Sequence, residues 1–318
     1  MTVHRSATRP ALAARGIDRA AAERAVPELL DGLRADASTR VLVLSGDRAP
    51  MRDGRLALVP AAMVPDGAEW ALLGRDADGS AIVAAVFDAA VLDADAEPSA
   101  LFPAESGRIA WASLRAVGGT LEADDAALFV EALSLGRWLL DAPYCPFCGT
   151  RTHVHSAGWS RLCPSCGREH FPRTDPAVIM IVTSATDPDR LLLGSNALWG
   201  ADRFSCFAGF VEAGESLETA VARELEEEAG IPDGDVVYRS SQAWPYPRSL
   251  MLGFEAQSAN DALARPDGEE IAEVRWFTRA EIAAALADAQ DADASESFLL
   301  PGPSSIAYRL IADWCASG

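Results

Sequence analysis

Four cysteines, Cys145, Cys148, Cys163 and Cys166, fall in two matched segments, Cys-Pro-Phe-Cys-Gly and Cys-Pro-Ser-Cys-Gly. No other feature of the chain limits its folding so tightly. A two-residue gap lets both thiolates of one turn reach a single ion, the glycine that follows relieves backbone crowding, and four sulfurs complete a closed tetrahedron. The spacing predicts a structural zinc ribbon with no coordination position left for catalysis. Four unrelated buried thiols would not repeat one segment twice, and a redox reading would need both pairs to be redox motifs. Cys206 and Cys315 stand alone and read as small core residues. His153, His155 and His170 lie beside the ribbon and read as surface or packing residues, because four sulfurs already satisfy the metal. Metal spacing in place of a scattered disulfide framework suits a reducing cytoplasm.

The remaining composition narrows the chemistry. With 318 residues, 49% of them hydrophobic, the chain can bury a sizeable core over two or three domains. Acidic residues outnumber basic ones by 47 to 27, and the net charge of −20 repels polyanions and offers no broad footprint for duplex nucleic acid. Any phosphate must therefore be caught locally, with metal ions. Every basic residue is an arginine, which removes a P-loop lysine, Schiff-base chemistry and a lysine general base. Residues 1–30 mix Arg5, Arg9, Arg15, Arg19 and Arg24 with Asp18, Glu23 and Glu28 and lack a continuous apolar core, so no signal peptide is expected. No eighteen apolar residues run together, so no membrane-spanning helix is expected either.

Turn signals divide the chain into four parts. Residues 1–118 carry short apolar runs at 41–44, 56–59, 70–73 and 81–87 and read as an antiparallel β-rich domain, closed by a polar loop at 93–107. In 119–142, Leu128, Leu135, Trp138 and Leu139 recur at helical intervals behind Asp124 and Asp125, predicting a linker helix over 123–141. The ribbon occupies 143–172, and a last domain 173–318. There, 177–183 and 191–193 form a hairpin across Asp187-Pro188-Asp189, and Ser216 caps a helix that Gly230 and Pro232 end after Ala229. Strands follow at 236–240, 250–254 and 274–277. Thr278 and Glu281 form a capping box for a helix through residue 288, and Pro303 opens a final helix through residue 314. The segment 288–296 reads as a mobile loop, and no internal repeat is visible.

The chemistry concentrates in 209–231. Gly209 is followed by Glu215, then by Arg223, Glu224, Leu225, Glu227, Glu228, Gly230 and Ile231. On a helix, positions 224, 227 and 228 share one face, where three carboxylates can hold hard divalent cations. A run of three glutamates alone is usually a solvated face. Here Ala220, Val221 and Leu225 supply an apolar underside that pins the helix, and like charges so close repel unless a cation lies between them. Gly209 and Gly214 bracket a loop whose backbone can turn and approach a ligand.

This segment resembles the complete Nudix box. Preceded by the four-cysteine ribbon and followed by Ser241-Gln242-Ala243-Trp244-Pro245-Tyr246-Pro247-Arg248-Ser249, it resembles the bacterial NADH pyrophosphatase group of Nudix hydrolases, over roughly 108–318 by motif and the amino-terminal part only by position. The resemblance implies an α+β protein, a Nudix α/β/α sandwich with a zinc ribbon and an N-terminal β-rich domain. It implies that Glu224 and Glu228 hold magnesium or manganese, that Glu227 assists, and that Arg223 orients the glutamates. Glu270, with Glu273 second, would complete the site, and Ala208 and Ala307 would contribute backbone contacts. Phe210 and Phe171 stand where rings stack on a nicotinamide; Gln242, Ala243, Trp244, Pro245, Tyr246, Pro247, Arg248 and Ser249 would lie along the dinucleotide, with Arg115 a further contact. Ala243 and Tyr246 depart from the proline and phenylalanine usual there, and loss of the proline would loosen the loop.

The activity implied is metal-dependent cleavage of the NADH or NAD diphosphate to NMN(H) and AMP, with removal of NAD caps from RNA, by a homodimer. Either Glu227 or Glu270 could be the general base. Two rivals stay open: a Nudix hydrolase of another nucleoside diphosphate derivative such as ADP-ribose, and a zinc-ribbon nucleic-acid-binding or regulatory protein with a degenerate hydrolase domain. The ribbon's zinc is expected to lock the linker helix against the catalytic domain.

Overall fold

A computed structural model describes residues 12, 17–91, 109–200, 202–232, 234–288 and 298–317. The expected loops at 93–107 and 288–296 lie outside these residues, apart from the backbone of residue 288. The described chain divides into two compact units, one of residues 17–174 together with Pro245–Arg248, the other of Asp175–Trp244 and 249 onward.

The second unit is built on one mixed sheet. Its strands are β11 (Asp175–Ser184), β12 (Arg190–Asn196), β13 (Phe207–Phe210), β14 (Val236–Trp244), β15 (Ser249–Ser258) and β16 (Ile271–Thr278), in the order β14-β15-β11-β12-β16. The expected hairpin forms, with Val182 opposite Leu192. One edge of β11 is shared: β12 pairs with its C-terminal end, whereas β13 takes Ala177 to Met180. The other edge pairs with β15 in parallel. Alternation along β11 divides the core. Val178, Met180 and Val182 pack on Ala220, Val221, Leu225 and Ala229 of helix α4 (Leu217–Ala229). Ile179 and Ile181 pack on the opposite face with Ile282 of α5 (Arg279–Asp288) and with Ile306, Leu310, Ile311 and Trp314 of α6 (Ile306–Ala316). Helices thus cover both faces of the sheet, giving the expected sandwich.

Local signals place these helices. The Ser216 hydroxyl accepts from the Thr219 N–H at the start of α4, and Gly230, at φ 64°, ends it in the left-handed region. Thr278 and Glu281 form the reciprocal capping box: the Thr278 N–H donates to the Glu281 carboxylate at 2.8 Å, and the Glu281 N–H returns to the Thr278 hydroxyl at 3.3 Å. The last helix starts later than expected. Ser305, not Pro303, sets its first turn, because the Ser305 hydroxyl accepts from the N–H groups of Ala307 and Tyr308.

The first unit holds a sheet in the order β3-β2-β1-β6-β5, built from β1 (Arg40–Ser45), β2 (Arg48–Arg52), β3 (Arg55–Leu56), β5 (Glu69–Arg75) and β6 (Ala81–Phe87). β4 (Val59–Pro60) pairs with β1, and β7 (Ala110–Ser113) with β2. The expected strand at 56–59 is broken into β3 and β4. The sheet is also mixed rather than antiparallel, because β1 and β6 run parallel over six residue pairs, Arg40/Ile82 to Ser45/Phe87. Two short helices, α1 (Leu29–Ala35) and α2 (Leu114–Val117), join it, and the expected linker helix is α3 (Ala123–Asp141).

The two sheets share one topology, so the reading of no internal repeat is corrected. β5-β6-β1-β2 matches β14-β15-β11-β12, each with its central pair parallel; β4 lies on β1 as β13 lies on β11, and β7 on β2 as β16 on β12. They differ after the matched strands β13 and β4. The second unit carries the thirteen residues of α4 between β13 and β14, while the first has a single 3-10 turn, Ala61–Met63, between β4 and β5.

The ribbon forms a small sheet of β8 (His153–His155), β9 (Ser160–Leu162) and β10 (Glu169–His170) within the first unit. Its buried anchors run to α3 and β5. Arg161, 2% exposed, donates to the Leu139 carbonyl at 2.6 Å and to Glu69 at 3.1 Å, and the Trp159 indole N–H donates to the Leu72 carbonyl. These bonds anchor the ribbon to the linker helix and to the N-terminal sheet. Nearby on α3, Glu131 is 7% exposed and pairs with Arg19 at 3.3 Å; burial pushes its carboxyl up to about 7.

Candidate active site

The glutamate helix is organised by one arginine. Each of the five guanidinium N–H groups of Arg223 has an acceptor. Nε and one Nη2 hydrogen take the two Glu215 oxygens at 2.9 and 3.0 Å. Nη1 takes Glu224 at 2.8 Å and Glu227 at 3.0 Å, and the other Nη2 hydrogen takes the Phe210 carbonyl at 3.0 Å. The Glu212 N–H also donates to Glu215. Hydrogen bonds from Arg223 hold the Glu215 carboxyl below the usual carboxylate range, and Glu215 in turn raises the guanidinium. Sequence reasoning assigned Glu215 no role of its own; the two hydrogen bonds it accepts from Arg223 fix the arginine that fixes the other two.

The three helix glutamates do not share one environment. Glu224 and Glu228 are buried, 9% and 5% exposed, while the Glu227 side chain is 60% exposed at the rim. Burial, followed by the charges of Glu224 and Glu270, pushes the Glu228 carboxyl up to about 8, partly opposed by the Ala208 N–H donating to it at 3.3 Å. Glu224 is raised by burial, an effect Arg223 partly offsets. Glu270 acts on both, and Asp267 on Glu228. Asp267 was not signalled by the sequence; its carboxylate accepts from the N–H groups of Glu269, Glu270 and Ile271 and so shapes the turn bearing Glu270. Glu273, the second choice, lies exposed on β16 opposite Ser195. Two buried carboxylates with the exposed Glu270 acting on them are oxygen donors of the type a hard cation takes, whereas among the described residues only the four cysteines bring three or more donor atoms within 4.8 Å.

Gly209 has a different role from the expected one. It lies in β13, paired with Val178, and does not turn the chain. A Cβ there would stand 1.8 Å from Oε1 of Glu224. The glycine is required for space, and it is Gly214, at φ 90°, that turns the loop.

The other predicted residues fall in separate places. Gln242, Ala243 and Trp244 end β14, Ser249 starts β15, and the Tyr246–Pro247 peptide between them is cis. Ala243 is a ladder residue opposite Leu250, so pairing holds the backbone where the usual proline is missing. Gln242 is buried and donates to the Ser304 carbonyl at 2.8 Å, just before the turn that places the buried Ala307. Pro245 is buried and Arg248 exposed. Within the first unit, the Tyr246 hydroxyl accepts from the Arg115 N–H at 3.1 Å, and the guanidinium groups of Arg115 and Arg137 lie 3.9 and 5.1 Å from its ring centroid. Arg137 was missed because a single arginine on a helix carries no distinguishing spacing. Phe171 and Phe210 are 51% and 56% exposed.

The zinc centre is compact. Its four cysteine sulfurs lie within 4.8 Å of one another, with 3.7 Å between Cys145 and Cys166 and 3.5 Å between Cys148 and Cys163. Four thiolates around zinc stand about 3.8 Å apart. The knuckles are superimposable in their bonding: Gly149 N–H donates to the Cys145 carbonyl and Gly167 N–H to that of Cys163, with both glycines near φ 70°. His170 Nε2 lies 3.2 Å from the Cys145 sulfur, a neighbour of the ligand rather than a ligand.

Comparison with known proteins agrees with this geometry. Residues 173–298 match the model of the NUDIX domain, 141–171 that of the NADH pyrophosphatase zinc ribbon domain, and 23–138 that of the NADH pyrophosphatase-like rudimentary NUDIX domain. Over 287 residues the chain is 42% identical to the NAD-capped RNA hydrolase NudC of Mycobacterium tuberculosis (strain ATCC 25618 / H37Rv), covering 89% of this chain and 85% of that one. The chain belongs to the NudC family of Nudix hydrolases. Other NudC relatives include the NAD-capped RNA hydrolase NudC of Stutzerimonas stutzeri, 38% identical over 58% of this chain and 66% of that one. The NAD-capped RNA hydrolase NUDT12 of Macaca fascicularis is 37% identical over 61% of this chain and 42% of its own. A rudimentary Nudix domain at 23–138 accounts for the repeated NudC sheet topology and for the missing glutamate helix in the first copy.

Proposed function

We propose that this chain hydrolyses the diphosphate of NADH and NAD to NMN(H) and AMP, and removes NAD caps from RNA by the same cleavage. The observation that carries this reading is the pair of buried glutamates: Glu224, held beside Gly209 by an arginine with no N–H unused, and Glu228, which accepts from the Ala208 N–H. Glu224, Glu228, Glu270 and the Ala208 backbone would hold magnesium or manganese. When bound, the metal would neutralise charge on the diphosphate oxygens and acidify a water. Arg223 fixes the carboxylates so that no reorganisation is needed during reaction. Glu227, at the rim, or Glu270 takes the proton of the attacking water; one P–O bond forms and the bridging P–O bond breaks, leaving one phosphate on each mononucleotide.

Phe210 and Phe171 offer faces for the nicotinamide. Gln242 to Ser249, Arg115 and Ala307 line the path of the dinucleotide. The chain is divided as 1–118, 119–142, 143–172 and 173–318, works as a homodimer and resides in the cytoplasm; the family resemblance supports the dimer, and four cysteines in metal knuckles support a reducing compartment. Among the described residues no helix is long and apolar enough to cross a membrane. Competing initial rates on NADH, NAD, ADP-ribose and NAD-capped RNA, with and without magnesium or manganese, test the proposal. Metal-dependent release of AMP from NADH is expected; preference for ADP-ribose, or binding with no turnover, would overturn it.

A further inference from the structure

The zinc ribbon carries surface features that neither the zinc nor the hydrolysis requires. Tyr144, Phe147 and Phe171 are 58%, 63% and 51% exposed within a short segment. Phe171 already has a place in the proposed dinucleotide path; Tyr144 and Phe147 have none. Tyr144 bridges to the exposed Arg151 at the base of the first knuckle. Phe147 stands at the tip of that knuckle, and the guanidinium of Arg168, from the second knuckle, lies 3.4 Å from its ring centroid. An open groove of about 470 Å³ runs beside them, lined by Pro146, Phe147, Arg168, Glu169 and His170.

Charge singles out the same surface. The ribbon, residues 143–172, contains three arginines and one carboxylate, Glu169, for a local charge of +2, while the rest of the chain, with 24 arginines against 46 acids, carries −22. Four thiolates on a zinc dication subtract two, so the zinc-loaded ribbon is neutral in a strongly acidic chain. Arg161 is buried, but Arg151, Arg168 and Arg173 face solvent, and Glu169 is engaged by His155 at 3.2 Å.

We propose that this aromatic and arginine face of the ribbon, centred on Phe147, Arg168, Tyr144 and Arg151, binds single-stranded RNA. Exposed rings stack on unpaired bases without regard to sequence, and arginines beside them take the phosphates. A duplex would offer no free base faces and would meet the field of the acidic remainder, so the occupant is a single strand held locally. The proposal rests on the reading that NAD-capped RNA is a substrate, and gives the strand behind the cap its own site.

The test uses the full-length, zinc-loaded protein. Fluorescence anisotropy with a short, uncapped, single-stranded oligoribonucleotide should show binding that weakens with salt, with a log–log slope of about −2 for three arginine contacts. Arg168→Glu should weaken that binding about tenfold or more and lower kcat/KM on NAD-capped RNA to match, through KM, while kcat/KM on NADH stays within about twofold. Phe147→Ala should act alike through lost stacking; if it lowers the zinc content, Arg168→Glu, which leaves the four cysteines, both knuckle glycines and the Arg168 carbonyl in place, decides alone. Wild-type affinity in Arg168→Glu, or an equal fall on NADH and capped RNA, overturns the proposal. Absence of wild-type turnover on NADH and capped RNA would instead sink the proposed function, since the anisotropy reads the ribbon without catalysis.

Discussion

Gly209 and Glu224 occupy one space: a single carbon added to the glycine would overlap the glutamate carboxylate, 1.8 Å from Oε1 and 1.9 Å from Cδ. The spacing of a motif can thus encode a volume as well as a turn, here the volume into which a buried acid must fit.

Gly209→Ala should therefore damage catalysis more than folding. The displaced carboxylate would lower kcat/KM on NADH about a hundredfold, the cost of misplacing a reacting group by about 1 Å. The zinc content should not change. Activity within threefold of wild type would show that Glu224 has room elsewhere.

Arg223→Lys keeps the charge but has three N–H groups where five acceptors are set. It cannot reproduce the fork on Glu215 while also reaching Glu224 and Glu227. A fall of about a hundredfold in kcat is expected, with Glu215→Gln giving a smaller loss. Retention of wild-type kcat by the lysine variant would remove the clamp from the mechanism.

Glu228→Gln should abolish turnover. Without metal, wild-type Glu228 is a buried acid raised to about 8, so its ionisation costs stability as pH rises from 4.5 to 8. At pH 9 in chelator the glutamine variant should melt no lower than wild type, and added magnesium should raise the melting temperature of wild type alone. Equal magnesium stabilisation of both proteins would place the cation elsewhere.

Glu131, in the first unit, gives a second pH test. Its folded pKa of about 7 exceeds the usual 4.5, so between those values the native state keeps a proton the unfolded chain has lost. Its contribution is therefore favourable at low pH and disappears as pH rises to 7, by at most about 3 kcal/mol. Glu131→Gln should match wild type in thermal unfolding near pH 4 and exceed it at pH 8. A variant less stable than wild type at pH 8 would mean that the ion pair with Arg19 outweighs burial.

What the sequence revealed was local. The knuckles, the box, the Ser216 and Gly230 caps and the Thr278–Glu281 pair all act over a few residues, and α3 matches its apolar periodicity from end to end. What it concealed joins distant segments. The parallel pairings of β1 with β6 and β11 with β15 leave no mark on either strand alone, because a strand buried on both faces reads as apolar whichever way its neighbour runs. Arg161 reads as a surface residue and is buried because carbonyl oxygens at a helix end await it. In the site, Arg223 and its glutamates were legible from spacing, whereas the action of Asp267 on Glu228 and of Arg137 on Tyr246 needs partners the fold brings to them.

The single 3-10 turn at Ala61–Met63 shows what the first sheet does without. Seven strands close around their own core there with no acidic helix between β4 and β5, so the helix is a cassette, not a keystone. A lineage could lose the chemistry from one copy and keep the platform, leaving that copy's surface to be reshaped for recognition under no catalytic constraint.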